Sequence, residues 1–443
     1  MTDPGSPVAH DTEVMALATQ SGRLFAATDQ WEYPGPHAAG QILVKDSASA
    51  PWRVFEQTQS LRVQAIDSFA IPADQGLGAG HSLLITQAVI DGHSRIQWLL
   101  DDANHFSLEN SYILPGAADV RSFGAHEADG VWAVYAGVSP TGLLRGIWSP
   151  TQRTLMFDPK PEVAALPPSS PGLKTQKVTG FSDCGGALYA TINTRLFRRN
   201  DSALTAGAAR WALLYQEPPV GAFNSGLRGL TCVTHQGYPA LLVSTEGTGN
   251  VYRFDGLPRS GADPGIGSSG GKSLTPVLEF DAEPALRSAL AQSGTVVPQQ
   301  GRGSINYVIA AYNNFENITV NGVQRQFFGI EHAYLNTCPS SRICGPTAFG
   351  TEKFDAAACF AVRTDTGTTP SYALRCLDGK DFTPSGTVTK PIRAGQAFVS
   401  IRTVQVSPFD PSRIYLAGYD CNFYPADGTA WIGLVSRADL ELD

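Results

Sequence analysis

The segment Val120 to Ser149 reads VRSFGAHEADGVWAVYAGVSPTGLLRGIWS and decides the fold class. It contains three apolar runs of strand length, separated by the short turns HEADG and SPTG. Apolar runs bounded by Gly, Asp, Pro and Ser are typical of β-strands joined by tight turns. The segment therefore predicts three consecutive antiparallel strands.

The same order of strand, turn and strand recurs along the chain. Seven units begin near these residues: Val14, Leu61, Val120, Lys177, Leu227, Ile305 and Ile401. Their spacing of about 60 residues suits four short strands with connections. A sheet with two apolar faces needs a neighbour on each side, and a ring leaves none uncovered. The repeat predicts an all-β, seven-bladed β-propeller with four antiparallel strands per blade, and a six-bladed ring is the alternative.

The domain organisation follows from this repeat. We expect a flexible N-terminal segment over residues 1–12 and one propeller domain over residues 13–443, with an insertion around residues 281–358. Within that insertion, Pro284 to Gln292 has apolar residues at helical spacing and predicts one short helix. We also expect the run TAWIGLVSRADL near the C-terminus and the N-terminal VMAL to complete one blade from both chain ends.

The charge balance excludes one class of partner. The 443 residues carry a net charge of −8, and Lys and Arg form no block. Nucleic-acid binding needs clustered cations to neutralise phosphates, so we expect none. No apolar run reaches the 18 residues that span a bilayer, and Met1 to Val14 is polar. We expect no membrane association and a monomer, either cytosolic or a mature product whose leader has been removed.

The seven cysteines bear on the compartment, because disulfides persist where the surroundings are oxidising. Three pairs suit local bonds: Cys184 with Cys232, Cys338 with Cys344, and Cys359 with Cys376. Cys421 is left over, and no CxxC with zinc spacing exists. These cysteines favour a secreted or periplasmic protein, while the odd thiol leaves the cytoplasm open.

A recurring cation points to a ligand site. Four units open with an apolar residue followed by Arg, and Lys177 takes the matching place in a fifth; the four are Arg62, Arg121, Arg228 and Arg402. Since each innermost strand starts beside the axis, equivalent positions converge there. Arg presents bidentate donors that fit a carboxylate, so the pattern predicts a site for an anionic carbohydrate or another small acidic ligand. The alternative is that each Arg pairs with an acid on an adjacent blade.

Loops on the same face add further candidates. Arg145 in TGLLRG and Arg195 in NTR are expected to contact a ligand there. His93 in DGH is the preferred titrating group, because imidazole transfers protons near neutrality, although a histidine in a polar turn also fits a solvated surface. His332 in GIEH is a second candidate, and His126 is expected at the opposite face.

A metal alternative uses other residues. Glu246, Asn313 and Asp420 supply hard oxygen ligands that can meet at the axis and bind calcium, although no contiguous calcium loop is present. No cofactor is expected otherwise. The sequence contains no GxSxG, HExxH, phosphate-loop or Rossmann motif, which gives serine hydrolases, zinc peptidases, kinases and dehydrogenases no support.

The closing block VSIRTVQVSPFDPSRIYLAGYDCNFYPADGTAWIG, with VRSFGAH and LRGLT earlier, resembles secreted propeller polysaccharide lyases that cut beside glucuronic acid, such as rhamnose-glucuronate lyases. The resemblance implies cleavage by β-elimination. Arg121, Arg228 and Arg402 would neutralise the uronate carboxylate. A histidine (His93, His126 or His332) or a tyrosine would act as base or acid.

Two further functions stay open beside the lyase. One is a calcium-dependent lactonase or esterase centred on Glu246, and sensitivity to a chelator separates it from a metal-free lyase. The other is a non-catalytic propeller that binds a glycan or a protein, since the fold alone does not determine function.

Overall fold

The computed structural model describes most of the chain. Its described residues are 13–29, 39–128, 130–164, 177–201, 210–218, 226–257, 274–292, 307–311, 315–320, 322–335, 354–367, 369–377, 400–419 and 430–437. They form a seven-bladed β-propeller of antiparallel strands, as the repeat predicts. In the described residues no helix is long and apolar enough to cross a membrane.

The first four blades are regular. Blade 1 comprises β1 (Glu13–Gln20), β2 (Arg23–Asp29), β3 (Gln41–Lys45) and β4 (Arg53–Gln57). Blade 2 comprises β5 (Ile66–Ala70), β6 (Ser82–Ile90), β7 (His93–Leu100) and β8 (Ser111–Ile113). Blade 3 comprises β9 (Asp119–Ala128), β10 (Val131–Ser139), β11 (Gly142–Ser149), β12 (Thr154–Phe157) and the short β13 (Val163–Ala164). Blade 4 comprises β14 (Val178–Cys184), β15 (Ala187–Ile192), β16 (Arg195–Arg199) and β17 (Trp211–Gln216).

The last three blades are less uniform. Blade 5 comprises β18 (Gly226–His235), β19 (Tyr238–Gly247), β20 (Asn250–Phe254) and β21 (Val277–Asp281), followed by α1 (Ala282–Gln292). Blade 6 comprises β22 (Tyr307–Ala311), β23 (Glu316–Val320), β24 (Val323–Leu335), β25 (Phe354–Thr364) and β26 (Ser371–Leu377). Its innermost strand is split, because β22 and β23 both pair with β24. The described strands of blade 7 are β27 (Ser400–Val406), β28 (Arg413–Tyr419) and β29 (Ala430–Ser436).

Strand β10 shows why these sequences form blades. Its side chains alternate between two apolar cores, with Val134 packed in the core shared with blade 2 and Tyr135 in the core shared with blade 4. A strand with both faces covered is a continuous apolar run rather than a polar–apolar alternation. The run VWAVYAGV therefore encodes an inner strand that neighbouring blades enclose.

The ring closes differently from the sequence prediction. Strand β1 is paired with β2, and β29 is paired with β28, in two separate sheets. Closure occurs by face-to-face packing, with Val14 and Leu17 of blade 1 against Tyr415 and Ile432 of blade 7. The prediction that both chain ends complete one blade is wrong, since each terminal run already has strand partners close to it in the sequence.

The short helix and two cysteine predictions can be compared with the structure. Helix α1 includes the predicted segment, and its Leu286 packs in the core between blades 5 and 6. The Cys184–Cys232 disulfide is present and links β14 to β18. Cys359 is also disulfide-bonded, and its cross-strand neighbour is Cys376. The other three cysteines lie outside the described residues: Cys338, Cys344 and Cys421.

The ring has two faces, which differ in the direction of the innermost strands. The hub face is the one at which the innermost strands begin, and the far face is the one at which they end. Strand β9, for example, starts at Asp119 on the hub face and ends at Ala128 on the far face.

Candidate functional site

The recurring cations meet at the hub face. Arg121, Arg228 and Arg402 occupy the third position of their innermost strands, and Lys177 directly precedes β14. Arg62 lies in the connection before β5, where it forms a bridge with Asp29 rather than opening the strand itself. We call the following eight residues the hub cluster: Arg62, Arg121, Lys177, Arg228, Arg402, Glu13, Asp29 and Glu246.

Electrostatic coupling shows that the cluster converges. The carboxylate of Glu246 interacts with Arg228, Lys177 and Arg402, which come from blades 5, 4 and 7. Arg121 interacts with both Arg228 and Arg62. The ring therefore brings together cations that lie up to several hundred residues apart in the chain.

Three of the five cations are paired with acids. Arg402 Nε lies 3.1 Å from Glu13 Oε2, an ion pair that joins blade 7 to blade 1. Arg62 Nε lies 3.6 Å from Asp29 Oδ1. Arg228 and Glu246 form a close ion pair within blade 5. Both interpretations therefore apply to these three arginines: they converge at the hub face, and each forms an ion pair with an acid.

Arg121 and Lys177 differ from the other three. In the described part of the chain, neither side chain makes a hydrogen bond or an ion pair, and Arg121 Nε is buried. Burial lowers the pKa of Arg121 to about 10, and neighbouring Arg228 adds to this effect. Glu246 raises the pKa of Lys177, but burial and the nearby guanidinium groups outweigh it and lower the pKa to about 8.

Two acids of the cluster have pKa values shifted in opposite directions. Burial raises the pKa of Asp29 well above its usual range, and the negative charge of Glu13 adds to this effect. Burial also raises the pKa of Glu246, but Arg228 and Lys177 outweigh it and lower the pKa to about 2. The two carboxyl groups therefore differ in acidity, since the pKa of Asp29 is raised and that of Glu246 is lowered.

A cavity of about 240 Å³ lies along the axis. It is lined by residues of the innermost strands of blades 1 to 5, among them Arg121 of the hub cluster and Asp183 near the far face. Arg121 therefore stands at one end of a cavity that extends towards the far face.

Two of the predicted histidines, His93 and His126, lie away from the hub cluster, and the side chain of the third, His332, is not among those described. His93 begins β7 and is exposed at the turn between β6 and β7. His126 is buried near the far face, with Nδ1 2.7 Å from Asp183 and Nε2 3.0 Å from Asp201. His332 lies in β24 opposite Ile309, and its side chain is not among those described.

Two predicted arginines also lie elsewhere. Arg145 is inside β11 rather than in a loop, and its Nε lies 4.0 Å from Glu162 between blades 3 and 4. The sequence interpretation was wrong on its position because β11 starts earlier, at Gly142. Arg195 begins β16, the third strand of blade 4 from the axis, beside the turn after β15.

The calcium site stays a prediction. Glu246 is paired with Arg228, while Asn313 and Asp420 lie outside the described residues. Within the described residues, no three His, Cys, Asp or Glu side chains are grouped so that they could hold a metal ion.

Sequence reasoning missed two of the hub acids. Glu13 opens the first innermost strand, and Asp29 ends the second strand of the same blade, so each is a lone acid at one end of an apolar run. The available signal is the hairpin register, because Glu13 is opposite Asp29 in the β1–β2 pair and both therefore lie at the end where the innermost strand begins.

Comparison with known proteins gives a likeness of fold. No family model matches the chain, and no curated protein matches its sequence. An α-L-arabinofuranosidase of Fusarium graminearum, solved with an iminosugar inhibitor, is 9% identical with a TM-score of 0.39 over 99% of this chain and 98% of its own. An α-L-arabinanase of Penicillium chrysogenum with arabinobiose is 10% identical, with a TM-score of 0.35 over 85% and 98%.

A third similar structure is not named as an enzyme. It is a surface component of the type-IX secretion system of Porphyromonas gingivalis, 12% identical, with a TM-score of 0.33 over 97% of this chain and 52% of its own. Likenesses at this level carry no argument about activity, since one fold hosts many functions. The resemblance to uronate lyases finds no support among them.

Proposed function

We propose that the hub cluster binds the carboxylate of an acidic carbohydrate and that the protein cleaves the glycan beside that residue. The observation that carries the proposal is the pair Arg121 and Lys177, two cations without described side-chain partners amid three ion pairs. Both side chains are half-buried and feel the charge of Glu246, but in the described residues neither has a direct hydrogen-bond partner, which a ligand carboxylate would supply. Arg121 would bind both carboxylate oxygens in parallel.

β-Elimination is the reaction that this arrangement serves best. Neutralising the carboxylate stabilises the negative charge that develops when the C5 proton leaves. The base takes the C5 proton, and the electron pair of the broken C5–H bond forms the C4–C5 double bond. The bond from C4 to the leaving oxygen breaks at the same time. The departing oxygen then takes up a proton.

Lys177 is the base that the described residues offer. Its pKa of about 8 leaves part of the amine neutral near pH 7.5, whereas His93 and His126 lie away from the cluster. A general base works best when its pKa lies near the working pH.

Hydrolysis is a second candidate reaction, and a separate observation favours it. The pKa values of Asp29 and Glu246 are shifted in opposite directions, so Asp29 would protonate the leaving oxygen and Glu246 would serve as the base or nucleophile. Both reactions use the same cluster, and they leave different products.

One experiment tests both. The full chain is incubated with uronic-acid polysaccharides while absorbance in the ultraviolet band of an unsaturated uronate and new reducing ends are followed together. Elimination gives both signals, hydrolysis gives reducing ends alone, and no signal from any uronic glycan would contradict cleavage. Lys177→Met should abolish elimination, whereas Glu246→Gln should abolish hydrolysis.

Binding is tested apart from cleavage. Arg121→Gln removes the unpaired guanidinium and should weaken glucuronate binding by about 10- to 100-fold, the loss of one or two charge-assisted hydrogen bonds, as measured by calorimetry. Arg145→Gln is the matched control, since Arg145 lies outside the hub cluster, and it should leave the affinity unchanged. An unchanged affinity in Arg121→Gln would contradict the proposal.

The compartment and the cofactor are further parts of the proposal. The Cys184–Cys232 bond supports secretion or a periplasmic location. The proposed chemistry uses side chains of this chain, so treatment with a chelator should leave activity unchanged. Loss of activity on chelation would favour the calcium-dependent alternative.

A further inference from the structure

Two carboxyl groups face each other at the hub end of blade 1. Glu13 is opposite Asp29 in the β1–β2 pair, and the two residues are 3% and 1% exposed. Two ionised carboxylates that lie close together in a buried place repel each other, so one of them retains its proton to a higher pH than an isolated acid does. The pair can therefore take up or release one proton.

Asp29 is the member of this pair that retains the proton. Arg402 Nε lies 3.1 Å from Glu13 Oε2, whereas Arg62 Nε is 3.6 Å from Asp29 Oδ1. Burial and the charge of Glu13 raise the pKa of Asp29 well above its usual range, against the opposite effect of Arg62, Arg121 and Arg402. The charged groups that face Asp29 in the described residues thus come from four elements: β1, the connection before β5, β9 and β27.

Arg121 connects this proton to the ligand. Its positive charge lowers the pKa of Asp29, and it is also the guanidinium that the proposed function assigns to the ligand carboxylate. A bound carboxylate would offset the charge of Arg121 and place a new negative charge at the hub face. Both effects favour the protonated form of Asp29. They need no contact between Asp29 and the ligand, because charges act over several ångströms in a protein interior.

We propose that the hub cluster binds its anionic ligand together with one proton, which Asp29 takes up. The inference rests on the proposed function, because the ligand is the carboxylate bound at Arg121. Proton and anion then favour each other's binding, so the affinity for the anion falls as pH rises. Below the raised pKa, Asp29 is already protonated in the free protein and binding takes up no proton. Above it, one proton per ligand lowers the affinity by up to about tenfold per pH unit.

Lys177 also titrates at the hub, and its effect has to be separated from that of Asp29. Its pKa of about 8 would rise when an anion binds nearby, so Lys177 would take up a proton as well. Lys177→Arg retains the positive charge and stays protonated throughout the neutral and mildly alkaline range. The experiment therefore compares Lys177→Arg with the double variant Lys177→Arg, Asp29→Asn, in which a neutral amide replaces the carboxyl.

The test is calorimetric titration of the full chain with glucuronate from pH 6 to 9.5. Binding enthalpies measured in buffers with different ionisation enthalpies give the number of protons taken up per ligand. We expect Lys177→Arg to take up a proton, up to one per ligand, and to lose affinity by up to about tenfold per pH unit where it does so. The double variant should take up none and retain its low-pH affinity up to pH 9.5.

Controls separate this effect from a general disturbance of the blade. Asp46→Asn, in the Lys177→Arg background, makes the same substitution in blade 1 at an exposed ion pair with Arg53, and it should change neither proton uptake nor affinity. Thermal unfolding verifies that each variant is folded. If the double variant does not fold, Arg62→Gln replaces Asp29→Asn. It removes a cation that lowers the pKa of Asp29, so proton uptake should be largest at a higher pH.

The outcomes distinguish the proton from the ligand. Uptake that persists in the double variant would overturn the role of Asp29 and leave binding at the hub standing. An affinity of Lys177→Arg that is the same at every pH would do so too, as would an unchanged pH of largest uptake in Arg62→Gln. No binding of glucuronate at any pH would overturn the hub proposal, and the inference with it.

Discussion

The two ends of the innermost strands hold charge in opposite ways. At the hub face, cations from several blades outnumber the acids, and Arg121 and Lys177 have no described side-chain partner. At the far face, His126 is held between Asp183 and Asp201, and His235 Nδ1 lies 2.8 Å from Asp365. The far face therefore holds paired charges, whereas the hub face combines three ion pairs with two cations that have no direct partner in the described residues.

The far face is also where the blades are joined in series. His126 and Asp183 connect blades 3 and 4, Cys184 and Cys232 connect blades 4 and 5, and His235 and Asp365 connect blades 5 and 6. We call these three contacts the far-face links. Because they hold the strands at one end, the hub face can retain charges that do not contribute to stability.

Removing the disulfide should have the largest effect. The double variant Cys184→Ala, Cys232→Ala opens a loop with a sequence separation of 48 and should lower the free energy of unfolding by about 4 kcal/mol. Chemical denaturation measures the change. Glucuronate binding at the hub, measured below the denaturation transition, should be retained. A loss under 1 kcal/mol would mean that the far face does not hold the ring.

A pair of substitutions at the hub comes next. Glu246→Gln leaves the buried guanidinium of Arg228 without its acid and should cost about 3 kcal/mol of stability. Arg121→Gln removes a cation without a described partner and should cost less than about 1 kcal/mol. Denaturant titration of both variants compares them. Equal losses would show that Arg121 is as much a structural residue as Glu246.

The smallest expected effect is a pH dependence at the far face. Burial disfavours charged imidazole, but Asp183 and Asp201 outweigh it and raise the pKa of His126 to about 9. A raised pKa contributes stability that is complete below the unfolded value of about 6.5 and is lost as pH rises through about 9. Because Asp183 is half exposed, we expect about 1 kcal/mol.

The measurement is the difference in unfolding free energy between the wild type and His126→Asn from pH 6 to 9.5. Other groups titrate in this range, such as Lys177, whose lowered pKa makes stability increase above about pH 8. They are common to both proteins and cancel in the difference. A difference that does not change with pH would remove His126 from the far-face links.

The repeat could be predicted from the sequence because strand periodicity is local. The run from Val131 to Val138 is apolar throughout, which requires a cover on both faces and hence a ring. The position of Arg121, Arg228 and Arg402 near the starts of their strands is equally local. The strand order even placed His126 at the far face, where it lies near Asp183.

The residues that pair with these arginines lie far from them in the sequence. Glu13 pairs with Arg402 across 389 positions, and which cation receives an acid depends on how the last blade packs on the first. Arg145 was misplaced for a related reason, since a shift of a few residues in a strand boundary moves a side chain from a loop into the sheet.

The sequence by itself determined the blade and its repetition, since both depend on the apolar pattern within each unit. Only the tertiary structure decided that Arg121 and Lys177 have no direct partner in the described residues, and which side chains line the axial cavity. The physical reason is that pairing and burial depend on distances between residues far apart in the chain, which become fixed when the ring closes.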